Sequence, residues 1–192
     1  MPISFLSPES HRRFPWKNGG GVTTDIAEER APGSLPGSWD GLVWRLGRTT
    51  ISVPAPFSDL SGFDRCQVVV DGSGLVLDTP QGEVDLRQRY RPARYRGEAP
   101  ITSRLENGPV EVVNLIADRQ RASISLDVLQ AGVERALPAD TCVLYAPTDL
   151  SEILLDGRPL SIDVDHALRL DGMAGAVTCR AGVLLIASVM LL

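Results

Sequence analysis

The sequence predicts an all-β fold, either a sandwich or a barrel, built from many short strands. Runs of alternating or β-branched residues recur along the chain, and turn sequences separate them. The chain has 18 glycines and 14 prolines, which are 32 of its 192 residues. This share of about 17% exceeds the average of roughly 12%. No long stretch has the apolar period of an amphipathic helix. Dense turns and the lack of long helices are typical of sandwiches and barrels.

Each predicted strand follows from its local pattern. Residues 83–86 and 123–128 alternate between apolar and polar side chains, as strands with one wet face do. Residues 110–116 are rich in β-branched side chains. Residues 183–192 are the most apolar stretch, but they are too few to span a bilayer as a helix, which needs about 20 residues, so we interpret them as a buried final strand. The remaining predicted strands are 42–46, 49–53, 67–70, 75–77, 142–145, 153–155, 160–164 and 176–179.

The connections have the composition of turns and loops. Residues 71–74 and 156–159 are Asp-Gly turn sequences between two short strands. Residues 31–40 and 87–100 are predicted to be surface loops. Residues 24–29 are the best candidate for a short helix.

A weak internal repeat suggests two halves. Residues 68–77 resemble residues 153–162, which two copies of one β-unit would explain, although Asp-Gly hairpins are common enough for chance similarity. We place the boundary after residue 118. The first half, 1–118, includes an N-terminal arm, and the second half, 119–192, is smaller.

Composition excludes several classes of protein. The formal net charge is −5, whereas a nucleic-acid-binding protein needs a basic face. The three cysteines form no close pair, which favours a reducing compartment over a disulfide framework. Charged residues follow too soon after residue 6 for a signal peptide. We therefore expect a soluble cytoplasmic protein that binds neither nucleic acid nor membranes.

The sequence offers little for a metal or a common cofactor. The only histidines are His11 and His166, and a catalytic metal site usually needs two or three imidazoles together. Asp163, Asp165 and His166 form the only acidic cluster with a histidine, and we interpret it as a solvated strand end rather than a weak divalent-cation site. Nucleophile-elbow, P-loop and dinucleotide motifs are absent. The sequence predicts no metal and no cofactor.

The segment 12–24 is the most unusual in composition. It contains three consecutive glycines, Gly19 to Gly21, which are costly in backbone entropy and suit a close backbone approach. Trp16, Lys17 and Asn18 place an apolar surface, a cation and an amide beside them. The segment can hold a small anion, or it can be a tight turn that fixes the N-terminal arm with Trp16 as a plug.

Two arginines and one asparagine stand in predicted strands. Alternation puts Arg45 on the face opposite Trp44, and Arg65 on a face with Gln67. A guanidinium among apolar neighbours needs a carboxylate partner or a wet cavity. Asn114 lies in an apolar strand and needs hydrogen bonds. Each of these side chains is either a satisfied structural group or part of a binding site.

These residues belong to a set of motifs that resembles the HutD/Ves family. The motifs occur in the family's order, cover residues 12–119 well and match the remainder loosely. They are Trp16–Gly21 with Thr23 and Thr24, Trp44–Leu46, Pro56–Ser58, Gly62–Arg65, Gly72–Leu75, Gly97–Pro100, Gly108–Val110 and Asn114.

The resemblance implies both a fold and a role. The family is similar to cupins, so it implies a double-stranded β-helix with a second cupin-like half, a bicupin, without the cupin metal histidines. It implies a regulatory protein that senses N-formylglutamate, formate or a related carboxylate and modulates histidine utilisation. Enzymatic activity is not established for the family, and the resemblance favours a binding protein over an enzyme. A homodimer is left open. The implied ligand-binding residues are Trp16, Lys17, Asn18, Gly19, Gly20, Thr23, Arg45, Arg65 and Asn114.

The chain departs from the family pattern at two places. Val112 stands where the family tends to have an acidic residue, and Gly47, Arg48 and Thr49 stand where it tends to have small residues. No role of that acidic residue carries over to this chain.

Two other functions remain open from the sequence. The alternative is a metal-independent cupin enzyme, an isomerase or a hydrolase, acting on a small carboxylic acid. Its acid–base candidates are Lys17, Tyr90, Tyr145 and His166. The third is a protein-interaction module, for which no binding face is evident.

Overall fold

The protein is built from antiparallel strands. The computed structural model describes residues 3–15, 21–138 and 140–192. Within these ranges it contains one short 3-10 helix, Pro8–Ser10, and 18 strands, which confirms the all-β prediction. The strands are β1 Ile3–Leu6, β2 Arg12–Pro15, β3 Gly21–Arg30, β4 Leu42–Ile51, β5 Phe63–Gly72, β6 Leu75–Thr79, β7 Gly82–Leu86, β8 Ala93–Arg96, β9 Thr102–Leu105, β10 Val110–Asp118, β11 Ala122–Gln130, β12 Glu134–Leu137, β13 Thr141–Tyr145, β14 Ser151–Leu155, β15 Arg158–Ile162, β16 Ala167–Asp171, β17 Gly175–Ala181 and β18 Val183–Leu191.

The residues Arg12–Ala122 form one compact unit with two sheets. The larger sheet has the strand order β2-β3-β4-β10-β5-β8, and the smaller one has the order β7-β6-β9. Apolar side chains from both sheets pack into one core, so the sheets cover each other's apolar faces. The buried members are Ile51, Val69, Leu75, Leu77, Leu86, Ile101, Val110 and Val112.

The second compact unit combines Ser123–Leu192 with the described part of Met1–His11. Its sheets have the orders β1-β16-β13-β18-β11 and β12-β17-β14-β15. A second apolar core includes Leu144 from β13, Ile153 from β14, Val177 from β17 and Ile186 from β18. The most apolar stretch of the sequence forms β18, which lies between β13 and β11 in the interior of the five-stranded sheet, and this position explains its composition.

The units divide the chain differently from the sequence-based boundary at residue 118. Residues 3–11, which we expected in the first half, group with the second unit because β1 pairs with β16 along its length, from Ile3 opposite Leu170 to Leu6 opposite Ala167. Sequence proximity favoured the first half, whereas strand pairing places this segment with the C-terminal one.

The two members of the internal repeat have different structures. Asp156 and Gly157 have φ values of 49° and 76° and join β14 to β15 as a two-residue hairpin. Asp71 and Gly72 end β5, and residues 73 and 74 lead into β6, which lies in a different sheet. The first Asp-Gly turn therefore carries the chain from one sheet to the other and does not close a hairpin.

The predicted helix over 24–29 is wrong, since these residues lie within β3. β3 pairs with β2 on one side and β4 on the other, and its pairing with β4 shifts register between Asp25 and Ala27. Two neighbouring strands form hydrogen bonds with the backbone of this segment, and that pairing outweighs its local helical preference.

Among the described residues, no helix has the length and apolar character that a membrane span requires.

Candidate functional site

One face of the six-stranded sheet forms the wall of a small cavity. The cavity has a volume of ≈ 120 Å³, below the ~300–1,000 Å³ of pockets that bind drug-sized molecules. Strand residues supply most of its wall, and two loops supply the remainder. The lining residues are Thr23, Trp39, Arg45, Gly47, Thr49, Ile51, Phe57, Ser58, Leu60, Arg65, Gln67, Asn114 and Ile116. All of them belong to the unit of residues 12–122.

Strand register brings the polar side chains together in rows. Across β4, β10 and β5, Arg45 lies opposite Ile116, and Ile116 lies opposite Arg65. Neighbouring strands are about 4.8 Å apart, so the two arginines are about 10 Å apart at the backbone. In the next row, Asn114 lies between Gly47 and Gln67 in the same three strands.

Arg45 points into the cavity, as alternation along β4 predicts. Its neighbours Trp44 and Leu46 are fully buried and do not line the cavity. The Arg45 Nε atom lies 3.5 Å from Oδ1 of Asp25, and the guanidinium stacks over the Trp39 ring at 4.4 Å from its centroid. Burial lowers the pKa of Arg45, and Asp25 opposes this effect. The guanidinium is thus held between a carboxylate and a ring.

Asp25 is a buried carboxylate behind two residues of the cavity wall, Arg45 and Gly47, and does not itself line the cavity. The residue is only 4% exposed, and neither carboxylate oxygen has a hydrogen-bond partner among the described residues. Its Oδ1 atom lies 3.4 Å from the position that a Cβ at Gly47 would occupy. Burial raises the pKa of Asp25, while Arg45, Arg12 and Arg30 act in the opposite direction. Since desolvation is the largest cause, Asp25 holds a proton more readily than an exposed aspartate.

Arg65 lies between two aromatic rings. Its Cζ atom is 4.9 Å from the ring centroid of Phe57 and 5.2 Å from that of Tyr95. The Nη2 atom donates a hydrogen bond to Oδ1 of Asn114 at 3.4 Å, and Nε has no partner among the described residues. Within the described ranges, no carboxylate lies within ion-pair distance of Arg65. This guanidinium therefore presents an uncompensated positive charge at the cavity.

Backbone hydrogen bonds fix the loop that carries Phe57. The Phe57 amide donates to the carbonyl of Ile101 at 2.8 Å, and the Leu60 amide donates to that of Gly97 at 3.0 Å. A Cβ at Gly97 would lie 2.3 Å from the Leu60 carbonyl oxygen. Only glycine allows this approach, which places Phe57 and Leu60 over the sheet.

Gln67 is the most deeply buried polar side chain of the cavity wall. It is 0% exposed, and its Oε1 atom accepts a short hydrogen bond from the Tyr95 hydroxyl. Its Nε2 atom has no partner among the described residues. Burial raises the pKa of Tyr95 to about 12, so the phenol keeps its proton and remains a donor near neutral pH.

The structure brings four of the predicted site residues to one cavity: Thr23, Arg45, Arg65 and Asn114. The Thr23 hydroxyl is within 3.1 Å of that of Thr49 across β3 and β4. The other predicted site residues, Trp16, Lys17, Asn18, Gly19 and Gly20, lie outside the described residues.

Sequence reasoning missed several residues of this cavity. Gln67 shares a strand face with Arg65, so alternation was a sufficient signal for it. Asp25, the partner of Arg45 behind the wall, follows Thr23 on the same face of β3 and was missed because this segment was expected to be helical. Trp39 and Phe57 come from loops that strand periodicity does not describe. Val112, at the family's acidic position, is fully buried in the apolar core.

Several acid–base candidates from the sequence lie elsewhere. Tyr145 and His166 belong to the second unit, where the Tyr145 hydroxyl donates to Asp165 and His166 Nδ1 lies 3.0 Å from the Val164 carbonyl. Tyr90 does not line the cavity and has a φ of 64°. Lys17 is outside the described residues. Within the described ranges, no three His, Cys, Asp or Glu side chains are grouped so as to hold a metal ion.

Comparison with known proteins places this cavity in a family context. The family model described as HutD matches residues 8–185. A protein of Pseudomonas putida named "Uncharacterized 21.2 kDa protein in hutC 3'region" is 28% identical over 171 residues, which are 88% of this chain and 87% of that protein.

Solved structures show the same fold. The structure of HutD from Pseudomonas fluorescens SBW25, described as a formate condition, superimposes with a TM-score of 0.82 and 27% identity over 99% of both chains. A cupin 2 conserved barrel domain protein from Leptotrichia buccalis has a TM-score of 0.51 and 7% identity, covering 90% of this chain and 89% of that one. The fold is cupin-like.

Proposed function

Because the chain belongs to the HutD family, we propose that it binds a small carboxylic acid in this cavity and thereby modulates histidine utilisation. N-formylglutamate is the proposed ligand, with formate or a related carboxylate as the alternative. The single observation that carries the proposal is the charge of the cavity. Two guanidinium groups, Arg45 and Arg65, face it, and within the described residues only Arg45 has a carboxylate nearby. One bound anion would compensate the charge of Arg65.

The geometry suits a carboxylate with a second polar group. Arg65 presents a guanidinium fork held between two rings, a form of donor that matches carboxylate oxygens. Asn114 lies beside Arg65, in the next row across the strands, and its side-chain amide can form hydrogen bonds with an amide group of the ligand. Trp39 and Phe57 provide apolar walls. N-formylglutamate carries carboxylates and an amide, and formate is the condition named for the Pseudomonas fluorescens structure.

The proposal extends to the whole chain. The curated relative is named for its place in the hutC 3' region, which supports the proposed link to histidine utilisation. We propose the cytoplasm as the site of action, because the three buried cysteines, Cys66, Cys142 and Cys179, are free thiols.

We also propose that the two units, each with two antiparallel sheets around an apolar core, are the halves of a bicupin.

Calorimetric titration with N-formylglutamate tests the binding proposal. We expect the wild-type chain to bind and Arg65→Ala to lose at least about tenfold in affinity, because hydrogen bonds to charged groups contribute about 1.5–3 kcal/mol. Arg121→Ala is the matched control, since this exposed arginine pairs with Asp118 outside the cavity. Equal affinity of wild type and Arg65→Ala, or no binding of N-formylglutamate and formate by wild type, would contradict the proposal.

A second candidate function is a metal-independent enzyme, an isomerase or a hydrolase, acting on a small carboxylic acid. One observation favours it: Asp25 lies 3.5 Å from the cavity-lining Arg45, and burial raises its pKa, as is often found for general acid–base groups. Incubation of the purified chain with N-formylglutamate, followed by chromatography of the products, distinguishes the two. Turnover that Asp25→Asn abolishes supports the enzyme, and unchanged ligand recovered from the wild-type complex supports the binding protein.

A further inference from the structure

The side-chain amide of Gln67 is held in one orientation and leaves a donor unused. The Tyr95 hydroxyl donates to Oε1, which directs Nε2 away from Tyr95. Gln67 is 0% exposed, it lines the cavity, and Nε2 has no acceptor among the described residues. A buried donor without a partner is destabilising, and such groups are rare in folded proteins. Its presence in a cavity wall points to an acceptor supplied by a ligand.

Arg65 offers a second unused donor next to it. Arg65 and Gln67 are two residues apart in β5 and both line the cavity, so their Cα atoms are about 7 Å apart. The Arg65 Nε atom is also buried, and no described residue partners it. Both side chains are long enough for their donors to reach the two oxygens of one carboxylate.

Tyr95 supports both of these side chains. Its hydroxyl holds Gln67, and its ring lies 5.2 Å from the Arg65 Cζ atom. It lies opposite Arg65 in the β5–β8 pairing, so one residue of the neighbouring strand reaches both. Burial keeps its hydroxyl protonated, with a pKa of about 12. The ring of Phe57, with its centroid 4.9 Å from the Arg65 Cζ atom, also supports the guanidinium.

We propose that Gln67 is a ligand-binding residue whose Nε2 donates to the carboxylate that Arg65 binds, and that Tyr95 is a positioning residue that orients both. This inference rests on the proposed function. It assigns the carboxylate of the ligand to the β5 side of the cavity, where the charged Arg65 and the neutral Gln67 each donate a hydrogen bond to it. The ligand class is a planar two-oxygen acid whose remaining part extends toward Asn114 and Arg45.

Titration of N-formylglutamate into four full-length chains tests the assignment. Gln67→Leu should reduce affinity by about tenfold or more, because it removes a donor to a charged acceptor. Tyr95→Phe keeps the ring on Arg65 but releases the Gln67 amide, so affinity should fall by a smaller factor. The double variant Gln67→Leu/Tyr95→Phe should bind no more weakly than Gln67→Leu alone. This non-additivity is the signature of a residue that acts through another.

Two further variants keep the result interpretable. Gln67→Glu preserves the shape of the side chain and places a second carboxylate at the ligand's acid, so it should bind more weakly than Gln67→Leu. Tyr145→Phe removes a Tyr hydroxyl hydrogen bond in the second unit and should leave affinity unchanged.

Thermal unfolding of every variant without ligand identifies any loss of ligand affinity that is due to misfolding. The double variant should unfold no lower than wild type, because it replaces both members of a hydrogen bond by apolar groups.

The outcomes separate this inference from the proposed function. Wild-type binding that Arg65→Ala weakens but Gln67→Leu and Gln67→Glu leave unchanged overturns the role of Gln67 and leaves the proposed function standing. Additive losses in the double variant overturn the positioning role of Tyr95. Failure of the wild-type chain to bind N-formylglutamate and formate overturns both.

Discussion

Among single residues, Asp25 illustrates how burial changes the chemistry of a group. Its carboxylate is 4% exposed and lies 3.5 Å from Arg45 Nε, at a distance too long for a strong hydrogen bond. Desolvation therefore has a larger effect on its pKa than the ion pair does. Arg45 is oriented from its other side by the Trp39 ring, so both members of the pair are placed by the fold.

The raised pKa of Asp25 predicts a specific pH dependence of stability. The folded chain keeps this proton at pH values where the unfolded chain, with a pKa of about 3.9, has lost it. The free energy of unfolding of wild type should therefore decrease relative to Asp25→Asn as pH rises from about 4 through the folded pKa. Urea unfolding of both chains between pH 4 and 7 measures the difference.

Glu98 provides a control with the opposite sign. Hydrogen bonds from Arg119, at 2.8 and 2.7 Å, lower its pKa to about 2. The ionised Glu98 therefore contributes to the free energy of unfolding at pH values above its unfolded pKa of about 4.3. This contribution is lost only as pH falls toward 2. Glu98→Gln should thus differ from wild type by a nearly constant amount between pH 5 and 7. A constant difference for Asp25→Asn across pH 4 to 7 would contradict the role assigned to burial.

Among the strands, the register of β4, β10 and β5 assembles the cavity wall. Arg45, Ile116 and Arg65 share one row, and Gly47, Asn114 and Gln67 share the next. A slip of one residue in any of these strands would turn its polar side chains to the other face of the sheet. The register is thus what makes these separated sequence positions into one site.

Gly72 lies at the end of β5 and is required by both conformation and space. Its φ is 99°, and a Cβ there would lie 2.6 Å from the Pro109 carbonyl oxygen and 2.7 Å from the Cα of Val110, the first residue of β10. We expect Gly72→Ala to destabilise the chain by about 2–4 kcal/mol, from left-handed backbone strain and from this overlap. Chemical denaturation measures the change.

Gly62→Ala is the matched control for Gly72. Gly62 has a similar φ of 89°, but no atom lies within 4 Å of the position that a Cβ would occupy, so only the backbone contribution of about 1–2 kcal/mol applies. Equal destabilisation by the two substitutions would show that the close approach of β10 contributes nothing.

Across the molecule as a whole, the cavity belongs to one of the two compact units, Arg12–Ala122. Each unit has its own apolar core and its own pair of sheets. All residues that line the cavity belong to this unit, so the proposed ligand would contact this unit and not the described strands of the other.

Ligand binding should protect this unit selectively against hydrogen exchange. N-formylglutamate at 100 times its dissociation constant stabilises the binding-competent state by about 2.7 kcal/mol. We expect slower amide exchange in β4, β5 and β10 and unchanged exchange in the described residues of 123–192. Arg65→Ala at the same ligand concentration should show no slowing. Uniform slowing throughout the wild-type chain would contradict binding in this cavity.

The all-β fold and the inward direction of Arg45 were decided by local pattern, because alternation and turn residues report directly on strands and their faces. The combined set of motifs between Trp16 and Asn114 also indicated the family. Tertiary structure alone decided which residues share the cavity, since strand register brings Gly47, Asn114 and Gln67 from three distant segments to one wall. It also decided that β3 is a strand and that β1 pairs with β16, because hydrogen bonds to partners far along the chain outweigh local preference.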